Sequence, residues 1–257
     1  MPDALIGHSG FVGGNVVAQR RFDALYNSRN IEAIVNGDFE LLVCSGAPAA
    51  KWIANRDPEA DLANLQRLMG CLEKVRARKA VLISTIDVYP RPVDVDEDTA
   101  VSVDGHHAYG KHRFLLERFF LEHFDTLIVR LPGLYGEGLK KNAIYDLLHD
   151  HEVAKIDSEG RFQFYGLDRL WGDIETALGA GLRLVNFATE PTSMREIAGA
   201  AFDRDFDNRV AAQPARYDMR TRHAAVFHGA DGYLQDKSTV LSGVRRFVTR
   251  ERERQAS

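Results

Sequence analysis

Cysteine is nearly absent from this 257-residue chain. Cys44 and Cys71 lie far apart within apolar sequence, which excludes a disulfide scaffold and a cysteine-based zinc site and fits a reducing compartment. Both read as small core residues. Nor is there an excess of positive charge: 33 Lys and Arg stand against 37 Asp and Glu, a formal charge of −4, so no broad basic surface is offered to a phosphate backbone or an anionic membrane. Long apolar runs are missing too. Ala4–Ile6 meets Gly7 before a signal-peptide core can form, and no later stretch approaches the ~18 uninterrupted apolar residues of a membrane span. A cytoplasmic protein with neither nucleic-acid nor membrane partners is expected. The arginines between Arg245 and Arg254 are interrupted by Glu251 and Glu253, which reads as a solvated helix end or a frayed tail. There is no internal repeat and no low-complexity segment.

What is present is a regular alternation. Hydrophobic residues make up 45% of the chain, enough for a full core. Ala4–Ile6, Asp23–Tyr26, Glu40–Cys44, Ala80–Ser84, Leu127–Leu131 and Leu182–Phe187 read as strands separated by helix-length sequence, the pattern of βαβ units and a parallel sheet. Leu62, Leu65, Met69 and Leu72 paint one helical face behind Pro58, an entry signal. Residues 109–124 carry apolar side chains around more of the helix than one sheet-facing stripe requires, which predicts a second face buried in a partner subunit. Beyond Gly138 the alternation loosens, although Ser193 and Glu196 have capping-box spacing ahead of Ile197. The expected fold is α/β, a Rossmann-type doubly wound parallel sheet over 1–138 with a small C-terminal substrate lobe over 139–257, from which 168–188 returns a helix and a strand to the sheet.

Between the first strand and the first helix stands Gly7-His-Ser9-Gly10-Phe11-Val12-Gly13. In a dinucleotide fold such glycines permit the tight turn, let backbone amides approach a pyrophosphate, and let helix and strand pack closely. Glycine spacing alone is weak evidence, and its place on the first strand of an alternating pattern is what strengthens it. Twenty residues past Gly7, where an NAD site would hold a carboxylate for the ribose 2′-hydroxyl, the chain has Asn27-Ser28-Arg29. Arg29 suits the 2′-phosphate of NADP, with Asn27 or Ser28 as neutral neighbours. NADP(H) is expected over NAD; the alternative is an ordinary exposed arginine.

Further stretches follow in order: Ser45-Gly-Ala47-Pro after the third strand, Asn64 on the next helix, Ser84-Thr85-Ile-Asp-Val-Tyr89 at the end of the fourth strand, Tyr109-Gly-Lys-His-Arg113 opening a helix, and Arg130-Leu-Pro132-Gly-Leu-Tyr135-Gly136. Over residues 3–136 this series resembles the extended short-chain dehydrogenase/reductase family, in particular its nucleotide-sugar branch with GDP-fucose synthase and dTDP-dehydrorhamnose reductase. The resemblance implies a reductase, epimerase or dehydratase acting on a nucleotide-activated sugar. Tyr109 would be the acid/base, Thr85 would hydrogen-bond the substrate oxygen, Ala47 would line the cofactor groove and Pro132 would pass beside the nicotinamide. The family pattern has lysine four residues after the tyrosine, to hold the ribose and lower the tyrosine pKa. Here Arg113 takes that place, able to supply charge but not to release a proton. A catalytically weak or inactive cofactor-binding sensor is therefore the alternative.

Towards the substrate, Glu137, Lys140, Lys141 and Asn142 read either as diphosphate ligands or as exposed loop residues. Arg216, Arg220 and Arg222 are further cationic candidates. The aromatic run from Phe162 to Trp171 reads as core more readily than as a base-stacking surface. His106, His107 and His112 fit no helical metal-ligand pair, and no metal is expected. The expected partners are a small-molecule substrate and a second copy of the chain.

Overall fold

Every residue of Thr126–Leu131 is buried, which for an extended strand requires cover on both faces of its sheet. The structure, a computed structural model, describes residues 1–256. In chain order it contains β1 (Asp3–Ile6), α1 (Phe11–Gln19), β2 (Ala24–Tyr26), β3 (Asp38–Cys44), α2 (Lys51–Arg56), α3 (Pro58–Leu72), β4 (Arg76–Thr85) and β5 (Val93–Val95). There follow α4 (Ala108–His123), β6 (Thr126–Leu131), β7 (Gly133–Tyr135), α5 (Ala143–His149), β8 (Arg161–Phe162), β9 (Phe164–Gly166) and α6 (Leu170–Gly179). The last elements are β10 (Leu184–Asn186), β11 (Thr192–Ser193), α7 (Met194–Phe202), β12 (Asp218–Met219) and α8 (Lys237–Ala256). Two compact units result.

The first unit comprises Met1–Arg91, Asp98–Leu131 and Leu170–Val185. Its six-stranded sheet runs β10-β6-β4-β3-β1-β2, with the pairs from β6 to β2 all parallel, so it is a doubly wound Rossmann-type sheet. Strand order reverses between β1 and β3, and ligands bind such sheets outside the carboxyl ends of the strands at that switch. Asp57 caps α3 by accepting from the amide of Ala60, and Pro58 fills the first turn, where its missing N–H costs nothing. The helix buries Leu65, Leu68, Cys71 and Leu72 against Leu42, Leu82 and Ile128 of the sheet and Phe120 of α4. On the other face the Arg20 guanidinium packs against the rings of Phe22 and Trp171, which themselves meet edge to face. Helix α4 buries Leu116 and Phe120 but leaves Leu115 and Leu121 at 41% and 42% exposure.

The second unit comprises Pro92–Glu97, Pro132–Arg169 and Asn186–Ser257. Three short two-stranded pairs, β7 with β9, β8 with β11 and β5 with β12, accompany helices α5, α7 and α8. Their core includes Tyr135, Phe164, Met194, Ile197, Val244 and Phe247. The capping box at α7 is complete: Ser193 Oγ accepts from the Glu196 amide at 3.1 Å, and a Glu196 carboxylate oxygen accepts from the Ser193 amide at 2.7 Å. Arg245 to Arg254 lie on α8, which stays helical through Ala256.

Candidate functional site

The glycine turn closes because two of its glycines have no side chain. Gly7 sits at φ +88°, and a Cβ there would lie 2.5 Å from the Ser45 carbonyl oxygen. A Cβ on Gly13 would lie 2.1 Å from the carbonyl oxygen of Gly7. The turn after β1, the first turn of α1 and the Ser45–Ala47 loop after β3 are thus packed backbone to backbone at the switch point. Gly10 is the N-cap of α1 and supplies no side-chain cap, so the helix begins with the amides of Phe11 and Val12. Ser9 is exposed and Ala47 half-buried beside this turn. The cradle suits the pyrophosphate of a dinucleotide, since backbone N–H groups and a helix N-terminus bind anions.

Beyond β2 the chain turns at Asn27–Asn30. Asn27 Oδ1 accepts from the Arg29 amide at 2.9 Å, and Asn30 Oδ1 accepts from the Asn27 amide at 2.7 Å. Asn27 Nδ2 also lies 3.1 Å from His8 Nε2, tying this turn to the glycine turn. Ser28 and Arg29 are exposed. A second guanidinium stands nearby: Arg67 of α3 donates to the Ser28 carbonyl at 3.2 Å while paired with Glu32.

Tyr109, Thr85 and Arg113 are brought together where β4 ends and α4 begins. Tyr109 is 7% exposed, and its amide donates to Asn55 Oδ1 of α2 at 3.0 Å. Thr85 Oγ1 accepts from the Asp87 amide at 3.1 Å, which leaves its O–H to bond the Tyr109 phenol. Burial pushes the phenol above its ordinary value; the Arg113 charge and the Thr85 hydrogen bond oppose this, and Asp87 adds to it. The ring is therefore protonated at neutral pH. Arg113 lies with its guanidinium carbon 4.4 Å from the Tyr109 ring centroid.

Arg113 is itself enclosed. It is 4% exposed; Nη1 and Nη2 each donate to Asp61 at 2.9 Å, and Nη2 donates also to the Pro48 carbonyl. His112 Nδ1 stands 2.8 Å from the same carboxylate. The fork of Arg113 faces Asp61, so it offers almost no surface to a ribose and acts instead on the tyrosine it underlies. Asp61, Asn55 and Asp87 are site residues not singled out from the sequence. Asp61 had a signal: it falls in phase with Leu65, Leu68 and Leu72, an acid on the buried stripe of a helix.

Other candidates separate. Pro132 is buried and belongs to the second unit. Asn142 spends its side chain on structure, accepting from the amides of Ile144 and Tyr145 and donating to the Leu134 carbonyl. Glu137 pairs with Arg254, and Asn64 is exposed. Within the second unit a cleft of about 290 Å³ is lined by Arg161, Arg216, Arg220, Lys237, Tyr217 and Tyr233, among others. Arg220 leans on Asp218 and the Tyr233 ring, and Lys237 on Glu196. Arg161 and Arg216 are bridge partners there, and among the described residues neither has an ion-pair partner. Phe162 stacks on Tyr217, with ring centroids 5.6 Å apart.

No family model and no curated protein matches the sequence. Solved structures match in fold over almost the whole chain. The NAD-dependent NDP-hexosamine 5,6-dehydratase TunA of tunicamycin biosynthesis is similar with a TM-score of 0.74 and 17% identity, covering 98% of both chains. A dTDP-4-dehydrorhamnose reductase from Clostridium acetobutylicum is similar with a TM-score of 0.72 and 14% identity, covering 98% of this chain and 100% of the other. RMD from Pseudomonas aeruginosa, complexed with NADPH, reaches a TM-score of 0.70 at 15% identity over 98% and 100% of the two chains. At such identities the likeness is one of fold.

Proposed function

We propose that this chain is an NAD(P)-dependent enzyme of the extended short-chain dehydrogenase/reductase type, acting on a nucleotide-activated sugar. The observation that carries the reading is that one unit holds both the glycine cradle and a buried Tyr109 flanked by a hydroxyl and a fixed cation. The solved structures that share the fold act on or bind such ligands: an NDP-hexosamine dehydratase, a dTDP-sugar reductase and an NADPH complex.

In this reading Gly7, Ser9, Gly10, Phe11, Val12 and Gly13 hold the pyrophosphate, with Ala47 along the groove. Asn27, Ser28 and Arg29 read the adenosine end. The nicotinamide cofactor supplies hydride transfer when bound. Tyr109 holds a proton on its hydroxyl oxygen and delivers it to the substrate oxygen as that oxygen gains charge, and Thr85 orients that oxygen. Arg113, braced by Asp61, keeps a positive charge beneath the ring and eases loss of the proton. In the second unit, Arg161 and Arg216, in a cleft that Glu190 and Asp218 also line, supply donors for a diphosphate, and Tyr217 supplies a ring for its base.

Fluorescence titration with NADPH and with NADH tests the cofactor half. NADPH is expected to bind about tenfold tighter, and Arg29→Ala to remove that preference while leaving NADH affinity unchanged, since one phosphate contact is worth on the order of 1.5–3 kcal/mol. Absence of binding by either dinucleotide would remove the basis of the reading. The exposed Leu115 and Leu121 of α4 extend it to a homodimer, for which light scattering is expected to give twice the chain mass and for which a monomer is the refuting result.

A second reading is a dinucleotide-binding sensor without turnover. The enclosure of Arg113 by Asp61 favours it, because an arginine so held replaces the proton-exchanging lysine of the family pattern.

A further inference from the structure

Two histidines at the start of α4, His106 and His107, do work that no charged histidine can do. His106 Nε2 lies 2.9 Å from the Asp87 carbonyl oxygen, which only accepts, so that nitrogen carries the proton. The His107 amide donates to His106 Nδ1 at 3.0 Å, so that nitrogen is bare. His106 is thereby held as one neutral tautomer, spanning from the turn after β4 to the start of α4. His107 in turn is the N-cap of α4: its Nδ1 accepts from the Gly110 amide at 3.0 Å and is bare too.

The approach these rings span is close. A Cβ on Gly110 would meet both the Asp87 carbonyl oxygen and His106 Nε2 at 2.1 Å, so the helix start lies directly against the turn that follows Thr85. The two rings lie 4.3 Å apart between centroids. The charges around them are Lys51 of α2, Asp87 of the turn, which pairs with Lys51 at 2.7 Å, and the exposed Asp104 upstream. Burial first, then Lys51 and His106, hold the His107 imidazole below its ordinary value.

We propose that His106 and His107 are positioning residues that hold Tyr109 against Thr85, and that protonation of the His107 ring frees the start of α4 and sets the acid limit of turnover. The assignment of turnover rests on the reading of Tyr109 as acid/base, whereas the clamp itself does not. Asparagine, serine or aspartate caps a helix without titrating near neutrality, so a histidine cap makes the seat of Tyr109 depend on pH.

Nitrogen-15 NMR of the full chain tests the clamp without any substrate. At about pH 7.5, above the usual histidine range, His106 is expected as the Nε2–H tautomer, with the Tyr109 and Gly110 amides shifting as His107 takes a proton. A Nδ1–H tautomer of His106, or a His107 ring that titrates without moving those amides, overturns the clamp whatever the chain turns over. In turnover, kcat is expected to fall about tenfold per pH unit below the pKa of His107, with KM much less affected. His107→Asn is expected to remove that fall; an unchanged acid limb in this variant overturns the link to catalysis.

Discussion

Tyr109→Phe is expected to lower kcat by about 10²–10⁴-fold while leaving KM and NADPH affinity within about threefold of the parent. The substitution removes one oxygen and keeps the ring that Arg113 underlies, so the packing of α4 and the buried Asp61 pair are retained. What is lost is the proton held at the site of reaction. The sign of the pKa shift makes the prediction sharper. Burial raises the phenol above its ordinary value, so the acid form persists through neutral pH, and no alkaline loss of activity from Tyr109 is expected below about pH 10. Steady-state kinetics on nucleotide sugars across a pH series checks both points. Undiminished turnover in Tyr109→Phe would overturn the acid/base assignment. If both proteins bind NADPH equally and neither turns over any nucleotide sugar, the sensor reading is the one left standing.

Glu117→Ala is expected to destabilise the chain by about 3–5 kcal/mol, the cost of leaving a buried charge without its partner. Glu117 is 1% exposed and accepts from three donors: Arg130 Nη2 at 2.6 Å, Arg130 Nε at 2.9 Å and the Ser84 hydroxyl at 2.5 Å. Arg130 also donates to the Tyr89 hydroxyl at 2.7 Å and is itself buried. The network joins β4, α4 and β6 beneath the turn that carries Thr85. With alanine at 117 the Arg130 guanidinium stays buried and unpaired, against a total stability of only about 5–15 kcal/mol for a typical protein. Chemical denaturation followed by circular dichroism is the check, with Glu117→Gln expected to lose less because it keeps the shape and some of the hydrogen bonds. A loss below about 1 kcal/mol would be that of a solvated surface pair and would contradict the burial of this one.

The strands and the glycine turn were legible because their causes are local. A short apolar run between turn residues, or a glycine at a strand end, announces itself within a few positions. The parallel sheet, the Asp57–Pro58 entry to α3 and the Ser193–Glu196 box all have causes of this kind. The polar groups of the site do not. Asp61 meets Arg113 across 52 residues and Asn55 meets the Tyr109 amide across 54, so their roles exist only once α2, α3 and α4 have packed together. Asn142 shows the converse. Beside two lysines it reads as a ligand, yet two amides one turn ahead and a carbonyl behind consume its side chain. Glu117, set between Leu116 and Phe120, carried the same quiet signal as Asp61: a carboxylate on a buried stripe.

The two units are threaded through one another in sequence. The chain leaves the first unit after Arg91, returns at Asp98, leaves again after Leu131, and returns at Leu170 to lay down α6 and the strand that flanks β6. Neither unit is a single unbroken segment of the chain. During synthesis the cradle for a dinucleotide emerges early, but its sheet lacks an edge until residue 185 has left the ribosome, when most of the second unit's first half is already outside. Unpaired, β6 would present an edge carrying Leu127, Ile128 and Val129 in the meantime, a window in which a nascent chain is exposed to wrong pairing and to chaperone capture.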